Sequence, residues 1–121
     1  DAINALVLKD SGLFNEMFEL LEQYHNTKIV LTSANDDQIK KFGLDILPYT
    51  VFTLKHKPEK SDPKYFKMML EHFSLNPKDV IYFEHNCDAV ESACSVGINT
   101  FFYDKHKKDL VSLKKFFDEN L

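Results

Sequence analysis

A chain of 121 residues, 44% hydrophobic and 28% charged, is long enough for one buried core and too short for several domains. Its net charge of −4 gives no basic field for nucleic acid, and all 15 Lys/Arg positions are lysine, so bidentate arginine contacts to phosphates or bases are unavailable. No apolar run approaches the ~18 residues of a membrane span, and Asp1 does not open a charged-then-apolar leader, so a soluble cytoplasmic protein with neither nucleic-acid nor membrane partners is expected.

Ile3 to Leu8 is a nearly continuous apolar run, which suits a strand buried on both faces and broken at Gly12. Phe14, Met17, Phe18, Leu21 and Tyr24 recur at helical spacing, and Lys28 to Leu31 returns to strand. A short helix carrying Ile39 and Phe42 stops at Gly43, and Val51 to Leu54 reads as the third strand. Asp62 and Pro63 start a helix whose apolar face is Tyr65, Phe66, Met69, Leu70 and Phe73. Asn76-Pro77 opens a turn, Val80 to Phe83 is a fourth strand, and Asp88 to Val96 is a helix closed by Gly97. Thr100 to Tyr103 is a fifth strand, and Leu110, Leu113 and Phe117 mark the last helix. Cys87 and Cys94 make a poor disulfide framework and are expected to be reduced and buried.

Strands alternating with helices predict an α/β domain with a parallel sheet covered on both faces. In such sheets the loops leaving the carboxyl ends of strands converge on one crevice. Those loops are KDSG (Lys9 to Gly12), TSAN (Thr32 to Asn35), KHKPEKSDP (Lys55 to Pro63) and EHNCD (Glu84 to Asp88). They supply hydroxyls, lysines and carboxylates.

Taken in that order, the loops resemble the four motifs of the haloacid dehalogenase superfamily, whose members are mostly magnesium-dependent phosphatases and phosphotransferases. LTSAN resembles the second motif, which implies that Thr32 or Ser33 hydrogen-bonds a phosphoryl oxygen. KSDPKYF resembles the third, with Lys60 neutralising phosphate and nucleophile, and Pro77 to Thr100 resembles the fourth. The resemblance spans nearly the whole chain. It implies a three-layer Rossmann-like fold with a five-stranded parallel sheet flanked by helices, residues 1–121 forming one domain without a cap.

The superfamily's first motif is Asp-x-Asp-Gly after a strand. Matching Gly12 to its glycine puts Lys9 at the nucleophile position and Ser11 at the acid/base position. A lysine cannot form an aspartyl phosphate, and its charge opposes a metal. Glu84 and His85 fall where the family places acidic metal ligands, and with histidine neutral these four positions sum to no net charge. The function implied is a degenerate phosphohydrolase domain, catalytically inactive and without a cofactor. Such a domain would hold a small phosphate or other anion on Lys9, Thr32, Ser33 and Lys60, or serve as a protein-interaction module. The active alternative is a Mg2+-dependent phosphatase in which Asp10 replaces the nucleophile and Glu84 with Asp88 binds the metal.

A second alternative is a response-regulator-like receiver, since ALVLKDSG and IVLTSANDD would supply Asp10 as phosphate acceptor and Thr32 as responder. Its Asp-to-Thr interval is short, and the acidic pair of a preceding strand has no counterpart. Plainer readings stand beside each site residue: Lys9 as a surface lysine, Thr32 and Ser33 as helix caps, Lys60 solvated beside Glu59 and Asp62, Glu84 and Asp88 complementing a helix end. His85, Cys87 and Cys94 lack the spacing and the fourth ligand of a zinc site. Phe101, Phe102 and Tyr103 are consecutive, so one aromatic face stays exposed unless the last helix covers it, which would favour a homo-oligomer.

Overall fold

In the computed structural model, which describes residues 1–121, the Ile3–Leu8 run is not a strand over its length. The Ala2 carbonyl accepts from the N–H groups of Ala5 (3.2 Å), Leu6 (2.8 Å) and Val7 (3.0 Å), and Asn4 takes a φ of 70°. Only Val7–Leu8 (β1) is extended, and it pairs antiparallel with Gly12–Leu13 (β2), leaving Lys9, Asp10 and Ser11 at the hairpin tip. A short apolar run specifies burial and leaves the backbone open. Burial is met, since Ala2, Ala5, Leu6 and Val7 are at most 3% exposed.

The remaining elements follow the sequence closely. Asn15–Glu22 (α1) buries Met17 and Leu20, and Ile29–Thr32 (β3) follows. Asp36–Lys41 (α2) opens on a capping box between Asn35 and Gln38, and Gly43 takes a φ of 68° just beyond it. Thr50–Thr53 (β4) leads to Pro63–His72 (α3), where the Asp62 side chain accepts from the Lys64 N–H and Pro63 takes the first helical position. A 3-10 turn at Pro77–Asp79 precedes Ile81–Glu84 (β5); Cys87–Ser95 (α4) is capped by Asn86. Asn99–Phe102 (β6) and Leu110–Asn120 (α5) complete the chain. No helix is long and apolar enough to cross a membrane.

The five-stranded parallel sheet expected from the sequence is not formed. Strands pair two by two: β3 with β4 in parallel from Ile29↔Thr50 to Thr32↔Thr53, and β5 with β6 in parallel from Ile81↔Asn99 to Glu84↔Phe102. The segment expected to supply a further parallel strand, Ile3–Leu8, turns back on itself instead. The fold is nevertheless α/β, with apolar side chains on both faces of the paired strands. Val30 belongs to a cluster with Leu6, Met17, Leu113 and Phe117, while its neighbour Leu31 belongs to one with Phe52, Tyr65, Phe66 and Tyr82. Phe101 packs on Phe116 with ring centroids 5.3 Å apart, so α5 covers one side of β6 while Phe102 stays 46% exposed.

Tyr65 ties α3 to the β3–β4 pair. Its buried hydroxyl lies 2.7 Å from the Thr32 carbonyl oxygen and 3.1 Å from that of Phe52. Tyr65→Phe removes the donor and leaves both acceptors in an apolar wall, so a loss of about 1–2 kcal/mol is expected, read as a lower urea midpoint at unchanged m value.

Candidate functional site

The carboxyl-terminal parts of β3 and β5 are joined by the Lys60 side chain, which reaches the Leu31 carbonyl of one and the Glu84 carboxylate of the other. Lys60 enters from the loop just ahead of α3, where its backbone N–H donates to the Ser33 hydroxyl at 3.2 Å. Its ammonium donates to Asp1 Oδ1 at 2.8 Å, to Glu84 Oε1 at 2.6 Å and to the Leu31 carbonyl at 3.4 Å. The Asp1 and Glu84 side chains are 3% and 0% exposed, so these charges interact out of bulk water.

Every remaining lone-pair direction of the two carboxylates is also used. Asp1 Oδ1 accepts from the Ala2 N–H at 2.8 Å, and Asp1 Oδ2 faces the His85 N–H at 3.3 Å and the His85 Nδ1. Glu84 Oε1 accepts from the Tyr82 hydroxyl at 2.5 Å, while its Oε2 accepts from the N–H groups of His85 at 3.0 Å and Asn86 at 3.1 Å. Burial pushes the Glu84 carboxyl up, but the His85 contact and the Lys60 charge outweigh it and hold the group well below the usual carboxylate range. Burial lowers the Lys60 ammonium, with Glu84 opposing that shift, and burial beside Glu84 raises the Tyr82 hydroxyl far above its ordinary value.

Of the residues picked out by sequence, the structure brings together Ser33, Lys60, Glu84 and His85, while the Thr32 hydroxyl is turned to the Ala34 N–H. Lys60 is not solvated beside Glu59 and Asp62, since its side chain is only 13% exposed and pairs with Asp1 and Glu84. Thr32 and Ser33 do not cap α2, a role held by Asn35; Thr32 Oγ1 accepts from the Ala34 N–H at 3.2 Å. Glu84 does not serve solvent, being fully buried, but its Oε2 does accept from the N–H of Asn86, the residue that caps α4.

The KDSG loop lies elsewhere. Lys9, Asp10 and Ser11 are exposed and border an open concavity with Asn4, Lys105, His106 and Lys108. Asp88 is exposed in the first turn of α4 and is not part of the carboxylate cluster. Cys87 and Cys94, expected to be buried, are free and exposed. The carboxylate facing Lys60 is Asp1, which sequence reasoning missed. Asp1-Ala2-Ile3-Asn4 matches Asp-x-Asp-Gly at its first position alone, too little to mark it as the first motif.

Asp1, Glu84 and His85 offer ligand atoms within 4.8 Å of one another. No protein-family model, curated protein or solved structure matches the chain.

Removing the shared cation leaves two buried carboxylates facing each other, so Lys60→Met is expected to destabilise the fold by about 3–5 kcal/mol in urea titration. The folded-state value of Glu84 lies below its unfolded one, so its contribution is complete above about pH 4.5 and is lost as pH falls further. The wild-type urea midpoint should therefore drop through that acid range, and Glu84→Gln should flatten the slope.

Proposed function

We propose that the chain is a haloacid dehalogenase-like domain of three-layer Rossmann-like type that has lost phosphoryl transfer and acts as a binding or assembly module. The observation that supports this is the Lys60 ammonium held between Asp1 and Glu84, with the Ser33 hydroxyl accepting from the Lys60 backbone N–H. The family's order of carboxylate, hydroxyl, lysine and acidic residue is thereby kept, with Asp1 rather than Lys9 in the first place. Ile3 then stands where the pattern has its second carboxylate, so no acid/base group follows the nucleophile position. His85 replaces a metal-binding carboxylate.

The donor set does not fit magnesium, which favours an all-oxygen octahedron. Here the third group is an imidazole, and the Lys60 ammonium already sits 2.6–2.8 Å from both carboxylates. With the imidazole neutral, Asp1, Glu84, Lys60 and His85 sum to −1 and offer no positive excess to draw a phosphate. A protein partner or a second copy suits this surface better than a small anion. Exposed free thiols at Cys87 and Cys94 suit a reducing, cytoplasmic compartment.

The active reading moves from Asp10 to Asp1. It is favoured by one observation, the Asp1 carboxylate in direct contact with Lys60, whereas Asp10 shares no hydrogen bond with Thr32, Lys60 or Glu84. Asp10 and Thr32 also share no cavity wall, so no observation favours the receiver reading.

Turnover of an aryl phosphate in the presence of Mg2+ decides between these. The wild type is expected to stay at the blank rate, and Ile3→Asp with His85→Asp, which restores two carboxylates, to rise above it in an Asp1-dependent manner. Wild-type turnover abolished by Asp1→Asn but not by Asp10→Asn would overturn the inactive reading.

A further inference from the structure

The two parallel pairs leave a gap between them. β3 bonds only to β4, and β5 only to β6, so each has one unpaired edge. The edges run in the same sense: their carboxyl ends meet at Lys60, which touches Leu31 and Glu84, and their first residues, Ile29 and Ile81, line the same two cavities. One cavity, of about 140 Å3, opens toward Leu6, Leu21 and Phe117 on the α1 and α5 side. The other, of about 310 Å3, opens toward Met69, Leu75 and Ile98 on the α3 and α4 side. The gap therefore passes through the strand layer and presents apolar walls to both faces, which is the space a buried parallel strand fills.

The backbone of Asp1 stands at the mouth of this slot. The Tyr103 N–H donates to the Glu84 carbonyl at 2.8 Å, on the β6 side, so by alternation the Phe83 carbonyl points to the free edge of β5. The Asp1 nitrogen donates to that carbonyl at 3.3 Å, forming the first rung of a ladder opposite Glu84.

We propose that this slot is a strand-acceptor site: an extended apolar segment of about four residues, the length of β3 and β5, enters directly ahead of Asp1 and pairs in parallel with both edges. The completed sheet has the order β4, β3, segment, β5, β6. Because both cavities are apolar, the segment is a continuous run of Val, Ile or similar residues rather than an alternating one. This inference is independent of whether the Lys60 centre performs chemistry.

The test extends the chain ahead of Asp1 with Val-Val-Ile-Val-Phe, and in parallel with Gly-Ser-Gly-Ser-Gly. The apolar extension is expected to raise Tm by on the order of 10 °C and to slow amide exchange at least tenfold within Ile29–Thr32 and Ile81–Glu84, with the Gly-Ser form unchanged. A version with three lysines ahead of the apolar run is measured alongside, so that poor solubility does not hide the result. Equal Tm and exchange in the apolar and Gly-Ser forms would sink the proposal. So would equal protection by the free peptide, which would show that attachment to Asp1 is irrelevant, or a dimer of the unextended chain that already protects the same amides.

Discussion

The Lys60 ammonium, out of water between two carboxylates, is the constraint around which the rest is arranged. Asp1, the loop ahead of α3, the end of β3 and the end of β5 all meet at this one group. Each of the four carboxylate oxygens is given two donor contacts, and four of these eight come from the backbone N–H groups of Ala2, His85 (shared by both carboxylates) and Asn86. A buried ion pair adds little net stability over an apolar replacement, but it punishes any arrangement in which one partner is missing. Its role is therefore selection of one loop geometry. Tyr82 extends that role into the core, since it shares a β5 face with Glu84 and packs on Phe66 with ring centroids 5.5 Å apart.

This closure also shapes what the crevice can bind. A site for phosphate needs unspent positive charge and free donors, whereas here the lysine's hydrogens are all engaged and the two carboxylates exceed it in charge. Surface apposition and strand addition ask for neither. Charge balance, rather than shape, thus stands against capture of a small anion at this centre.

Helix boundaries were legible because their signals are local. Asp62-Pro63, Asn76-Pro77, Gly43 and Gly97 each act within a turn of the backbone they specify, and the structure uses all four as expected. Lys60 and Glu84 were legible for a related reason, because Lys60 sits in the loop that follows β4 and Glu84 is the last residue of β5. Asp1 was not, since its partners lie 59 and 84 positions away and nothing beside it in sequence marks the contact. The glycine of KDSG offered a better local match and drew the first motif onto a hairpin tip. The Ile3–Leu8 run misled for another reason: six apolar residues report burial, and a turn closed on the Ala2 carbonyl satisfies burial as well as a strand does. The four strands of the two parallel pairs were each foreseen, but not their pairing two by two, and the single sheet expected of them lacks the strand that this run does not provide.

The long spacing of these contacts has a consequence in time. The helices and the two parallel pairs close loops of modest length, whereas the centre around Lys60 joins residues 24, 59 and 84 apart. Contacts of that reach pay their loop-closure entropy before they return any stabilisation, so they form late. By that measure the helices and the two parallel pairs precede the charged centre, and until it closes two carboxylates and a lysine remain hydrated at the ends of strands already in place.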